Sequence, residues 1–184
     1  MKTSYVFLAD GFEEVEAMTS IDVMRRAGMP VVTVSINEDL EVTGAHGVIV
    51  LADSLYSDND YRDAEWLVLP GGMPGATNLA SHEPLTALLR EHAARAGKVG
   101  AICASPAVVL APLGLLDGRQ AVCYPGMESA AGGMTWGASP VAVDGPVVTG
   151  NGPAAAAAFA LAMVGESLGA GAAATVASGM LLPA

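Results

Sequence analysis

Cys103 is one of two cysteines in the chain, and it stands where the apolar run Val99–Ile102 gives way to Ala104, Ser105 and Pro106. A buried strand, a nucleophile and a helix start within a few residues make the layout of a nucleophile elbow, with Cys in place of Ser. Free N–H groups at a helix start favour a thiolate. An ordinary thiol has a pKa of ~8.5 and is about 3% ionised at neutral pH, so making thiolate dominant takes roughly 4 kcal/mol. A helix dipole supplies ~0.3–2 kcal/mol, so a further group has to help. A small core Cys fits the same spacing.

Two other stretches could complete such a site. The first is Gly11-Phe12-Glu13-Glu14-Val15-Glu16. Its acids suit the first turn of a helix, which is the plain reading. Glu16 differs from Glu13 and Glu14 in that the helix can turn it inward, where a protonated carboxyl could hydrogen-bond a thiolate and move protons. The second is Leu69-Pro70-Gly71-Gly72-Met73-Pro74-Gly75. Paired glycines let backbone N–H groups approach a ligand, so the N–H groups of Gly72 and Ala104 could form an oxyanion hole. An ordinary tight turn has the same composition. Gly-x-x-x-x-Gly-Lys is missing, which excludes a phosphate-binding P-loop.

The elements that must position these residues alternate between strand and helix. Ser4–Ala9 reads as a first strand ending at Asp10-Gly11. Residues 13–27 read as a helix whose Val15, Met18, Ile21, Val23 and Met24 share a buried side, with Arg25 and Arg26 in its last turn and Gly28 as its stop. Further strands are expected at 30–36, 42–51 (a hairpin), 66–69, 99–102 and 120–123. A second hairpin turns at Asp144-Gly145. Helices are expected at 84–96, 105–110, from 154 through the Ala-rich stretch, and at 172–180. The order implies an α/β chain with a mostly parallel sheet covered on both faces, as a single domain over 1–184.

Composition narrows the function. The net charge is −11 with 8 Lys and Arg in 184 residues, so nucleic acid and anionic membranes are not expected partners. Hydrophobic residues make up 52% and mean hydropathy is +0.46, enough for a sizeable core. Neither a Cys-x-x-Cys pair nor metal-binding His spacing occurs, so no metal is expected. The N-terminal apolar run is too short for a signal peptide and the Ala-rich stretch too short to span a bilayer. A cytoplasmic location is the expectation.

Five motifs in order carry a resemblance. They are Ala-Asp-Gly-Phe-Glu-Glu-Val-Glu (9–16), Asp-Val-Met-Arg-Arg-Ala-Gly (22–28), Leu-Pro-Gly-Gly-x-x-Gly-Ala-x-Asn-Leu (69–79), Ala-Ile-Cys-Ala-x-Pro (101–106) and Gly-x-Gly-Pro (150–153). The chain resembles the ThiJ/PfpI family, in its bacterial ThiJ-like branch. The resemblance implies a flavodoxin-like three-layer sandwich, a homodimer, a reactive Cys103 and a protonated Glu16 hydrogen-bonded to it. Family peptidases carry His directly after the nucleophile; Ala104 stands there, against peptidase activity. Several members place His before Pro where this chain has Tyr124-Pro125, so Tyr124 is expected at the pocket, as a donor or as a wall, with Gly71 and Pro153. His46, in a turn the family can bring across its dimer interface, is a further pocket candidate, whereas His82 and His92 read as solvated.

The function this implies is a cysteine-dependent, glutathione-independent glyoxalase or deglycase acting on a small aldehyde or a glycated adduct, with no cofactor. An oxidative-stress sensor or holdase chaperone using an oxidisable Cys103 is the alternative. Amidotransfer ranks low, since no late His-x-Glu pair is present.

Overall fold

The computed structural model describes residues 1–128 and 134–182; the expected single domain, 1–184, also takes in residues outside these. Strands β1 (Ser4–Leu8), β2 (Val31–Ser35), β5 (Ser54–Leu55), β6 (Trp66–Leu69), β7 (Lys98–Ile102), β8 (Val141–Asp144) and β9 (Val147–Gly150) form one sheet in the order β5-β2-β1-β6-β7-β9-β8. Every pairing is parallel except β8 with β9. A separate antiparallel hairpin, β3 (Glu41–Thr43) with β4 (Ile49–Leu51), stands beside the sheet.

Alternation along the strands divides the core in two. Val6 and Leu8 of β1, Val68 of β6 and Ile102 of β7 face one way, against α1 (Glu14–Arg26) and α4 (Ala156–Leu168). Tyr5, Phe7, Leu67, Leu69 and Ala101 face the other way, toward Leu79 of α2 (Gly75–Ser81) and Leu85 and Leu89 of α3 (Glu83–Ala94). This is a flavodoxin-like three-layer sandwich. The Ala-rich stretch is α4, and α5 (Ala170–Gly179) packs on it. None of the described helices is long and apolar enough to cross a membrane.

Several expectations change. Val15 and Met18 are exposed, at 52% and 37%, and the buried side of α1 runs instead through Glu16, Ala17, Ser20, Ile21, Val23 and Met24. Residues 120–123 form no strand; Ala121 makes one isolated bridge, to Trp136, and the backbone N–H of Val122 goes to the Thr149 side chain (2.9 Å) instead of a ladder. The expected 105–110 helix is a π-helical turn, Pro106–Leu110. His92 is buried, its Nε2 3.1 Å from the Lys98 carbonyl, and His82 caps α3 by accepting from Leu85 N–H (3.1 Å).

Candidate active site

Four adjacent strands, β1, β6, β7 and β9, bring the singled-out segments to the carboxyl end of the sheet, where open α/β sheets bind ligands. Cys103 follows β7 directly with φ 64°, in the left-handed region that side chains other than glycine seldom occupy. The turn is held from both sides. Cys103 N–H donates to Gly150 O (2.9 Å) and its carbonyl accepts from Tyr124 N–H (2.8 Å). Ser105 adds a buried bond from its hydroxyl to Pro70 O, tying the elbow to the loop after β6. This is a nucleophile elbow.

Glu16 lies behind the sulfur with 0% exposure. Its Oε2 accepts from Gly71 N–H at 2.8 Å. Gly71 has to be glycine: a Cβ there would stand 2.5 Å from Cys103 Cβ, 2.7 Å from Glu16 Oε2 and 3.0 Å from Cys103 Sγ. Gly72, at φ 90°, is equally confined, since its Cβ would meet Glu13 N and Gly11 O at 2.4 Å. Carboxyl and thiol therefore face each other across a peptide unit bare of side chain. The N–H groups of Gly72 and Ala104 both favour charge on the sulfur.

The electrostatics depart from the sequence expectation of an acidified thiol. Burial first, then the neighbouring Glu16 charge, pushes the Cys103 thiol up to about 12, with the two N–H groups pulling the other way. Burial likewise raises Glu16 to about 7, against the Gly71 N–H and the Cys103 contact. The π-helical turn after the elbow is too short for a strong dipole, and a carboxylate stands where a cation would be needed. The two groups titrate as a pair. Burial disfavours charge on both, so the pair gives up its first proton above the ordinary carboxyl range and its second above the ordinary thiol range. Thiolate character between those two steps requires the remaining proton to sit on Glu16.

A cavity of about 420 Å³ opens over Cys103. Gly72, Ala104, Tyr124 and Pro153 line it. Gly71 and Glu16 are buried behind it, and His46 is not among its lining residues. Glu13, Met73 and Met127 also line it, and sequence reading singled out none of them. Glu13 had a signal, its place two residues beyond the end of the Asp10-Gly11 turn. Met73 and Met127 had none, because an isolated Met reads as packing. Cys123 is buried, its sulfur 3.6 Å from the Tyr124 carbonyl, and burial raises its thiol to about 11.

Glu14 plays a structural part that the sequence hid. Its Oε1 accepts from the N–H groups of His46 (2.7 Å) and Val48 (3.3 Å), and its Oε2 lies 2.8 Å from His46 Nδ1. Burial works against the Glu14 charge, but these bonds outweigh it and lower its pKa. The hydrogen bond to Glu14 and the charges of Glu13 and Glu14 raise His46. Glu13, Glu14 and His46 bring metal-ligating atoms within 4.8 Å of one another. Both oxygens of Glu14 are already engaged, so the group works as a clasp between α1 and the β3–β4 hairpin.

The DJ-1/PfpI family model matches residues 2–166. The chain belongs to the DJ-1/PfpI family. It is 40% identical to Protein DJ-1 homolog B of Arabidopsis thaliana over 88% of this chain and 37% of that protein. It thus spans about two fifths of the length of the two Arabidopsis relatives it matches. A Caenorhabditis elegans relative named glutathione-independent glyoxalase DJR-1.2 is 31% identical over 83% of this chain and 81% of its own. Among solved structures, an oxidized DJ-1 of Toxoplasma gondii superposes with a TM-score of 0.96 at 37% identity, covering all of both chains.

Proposed function

We propose that the chain is a cysteine-dependent, glutathione-independent glyoxalase, with deglycase activity on adducts of the same aldehydes. The observation that carries this reading is the Cys103–Glu16 pair facing across Gly71 beneath an open cavity. The glyoxalase name of the nematode relative supports it.

The chemistry follows from a pair that shares one proton. Cys103 Sγ attacks the aldehyde carbon of a 2-oxoaldehyde as Glu16 holds the thiol proton, giving a hemithioacetal. The N–H groups of Gly72 and Ala104 stabilise the developing oxyanion. Glu16 gives its proton to that oxygen and, now a carboxylate, carries the proton from the former aldehyde carbon to the adjacent one through an enediol, which leaves a thioester. Water cleaves the thioester to a 2-hydroxy acid and restores the thiol. The substrate rearranges without net oxidation, so the route calls for no redox cofactor. Wild type is expected to form lactate from methylglyoxal at least 100-fold above Cys103→Ala; equal rates would end this reading.

A homodimer accompanies it. Val15 and Met18 on α1 and Val48, Ile49 and Leu51 on the adjoining hairpin are exposed, and the Glu14 clasp holds the two elements together. Sedimentation of wild type against Ile49→Asp tests it, with dimer and monomer the expected species. We propose a cytoplasmic location for this activity.

Oxidation sensing is the second reading, favoured by the relative solved in an oxidized form. Peroxide would add two oxygens to Cys103, with the Glu16 proton and the two N–H groups holding the sulfinate. Mass spectrometry after mild peroxide reads this directly, and a Cys103 that gains no oxygen rules it out.

A further inference from the structure

The cavity over Cys103 is electrically one-sided. Glu13 is the one carboxylate among its described lining residues, and no Lys or Arg joins it; Met73, Tyr124 and Met127 are its largest apolar walls. Seven of the eight Lys and Arg side chains pair with Asp or Glu elsewhere. The eighth, Arg90, reaches the Leu113 carbonyl. Residues 129–133 read Ser-Ala-Ala-Gly-Gly and bring no ionisable side chain. The basic group in contact with Glu13 is His46, whose Nδ1 is 3.7 Å from Glu13 Oε2 but 2.8 Å from Glu14 Oε2. Even fully protonated, one imidazole divided between two carboxylates would leave a net negative charge at the cavity rim, above a buried carboxyl. A substrate carboxylate entering this space would meet no cationic side chain among the described lining residues to offset its lost hydration, and the two N–H groups beside Cys103 are taken by the reacting oxygen.

We propose that Glu13 makes the cavity a charge filter, so that the site takes uncharged 2-oxoaldehydes with an apolar substituent and turns away those that carry a carboxylate. The volume, about 420 Å³, exceeds what a three-carbon aldehyde fills and lies within the ~300–1,000 Å³ of small-molecule sites. Tyr124 and the two methionines offer an aryl or branched alkyl substituent a polarisable wall. The substrate class rests on the glyoxalase reading, but the filter itself is a property of access to Cys103.

The test uses the full chain with Cys123→Ser, leaving Cys103 as the sole thiol. It is labelled with two methanethiosulfonates of similar size, a trimethylammonium-ethyl cation and a sulfonatoethyl anion. Each forms a disulfide with Cys103 as its sulfur–sulfonyl bond breaks and methanesulfinate leaves. Rates are divided by those of N-acetylcysteine amide with the same reagents. The corrected cation-to-anion ratio should be at least tenfold. Glu13→Gln should lower it at least threefold, and Glu13→Lys should reverse the preference. Glu38→Gln, on an exposed loop, makes the same change in net charge and should leave the ratio unmoved. A corrected ratio near one, or equal effects of Glu13→Gln and Glu38→Gln, would overturn the filter.

Turnover separates the two proposals. Phenylglyoxal should exceed 4-carboxyphenylglyoxal at least tenfold in kcat/KM, with the gap closing in Glu13→Gln. Equal turnover of both aldehydes overturns the filter and leaves the glyoxalase reading standing. Charge-selective labelling with no turnover of either does the reverse.

Discussion

Glu14 and Glu16 lie two residues apart in the first turn of α1, and they end in opposite electrostatic states. Residues at that spacing point to different sides of a helix. Glu14 turns to the β3–β4 hairpin and meets two N–H groups and His46, so its charge is favoured. Glu16 turns under the sheet's carboxyl end and meets one N–H and a sulfur, so burial raises it to about 7. A carboxylate with enough donors becomes a structural clasp. One with too few keeps its proton to higher pH, which suits it to the proton-carrying role proposed above, and the same residue type serves both ends by environment alone.

The largest expected effect separates those roles in catalysis. Glu16→Leu removes the proposed proton carrier and should cut kcat/KM for methylglyoxal more than 100-fold, measured as lactate formed. Glu14→Leu should keep Cys103 chemistry within tenfold, since it touches the hairpin and not the sulfur. Comparable losses in both would erase the distinction.

Stability against pH sharpens it next. The native state holds the Glu16 proton up to about pH 7, while an unfolded carboxyl releases it near 4.5. Native protein therefore binds more protons between these values and loses stability as pH rises through them, by roughly 3 kcal/mol in total. Glu16→Gln, which carries no charge at any pH, should gain on wild type from pH 5 to pH 8 in denaturant melts. Glu14 has the opposite sign: its lowered pKa gives stability that is present above 4.5 and lost as pH falls further. Glu14→Gln should thus lose stability at pH 7, and the deficit should shrink in acid. Activity of wild type should rise as pH passes about 7 and the pair reaches its one-proton state, and Glu16→Gln should lack that inflection.

Packing gives a smaller effect. Gly71→Ala places a Cβ 2.5 Å from Cys103 Cβ, and overpacking of this kind costs ~1–3 kcal/mol. A thermal melt with no change would mean that the carboxyl and the sulfur can draw apart. The mildest change is His46→Ala, which removes an exposed ring from the clasp. Amide exchange should quicken in the hairpin, residues 41–51, and stay unchanged in β6 and β7.

Much of this was legible in the sequence. The alternation of apolar runs with helical spacing gave the α/β order, and the five motifs led to the family. Cys103 after an apolar run marked the elbow, because a strand-to-helix turn is a local event. Reading helix faces was less secure. Val15 and Met18 look like core by spacing, yet they are exposed, while buried Glu16 and Ser20 occupy the inward side. Apolar type reports a preference for burial, and an apolar side chain can equally meet another chain.

What the sequence determined by itself is the set of short-range choices: which runs become strands, where Gly71 and Gly72 permit a bare backbone, and that Cys103 ends a strand. The tertiary structure decided the charges. Whether Glu16 keeps its proton, whether Glu14 loses its own, and whether Cys103 ionises all depend on groups brought in from distant positions: Gly71 55 residues from Glu16, and His46 32 residues from Glu14. Burial and hydrogen-bond partners set a pKa, and both exist only once β1, β6 and β7 lie side by side.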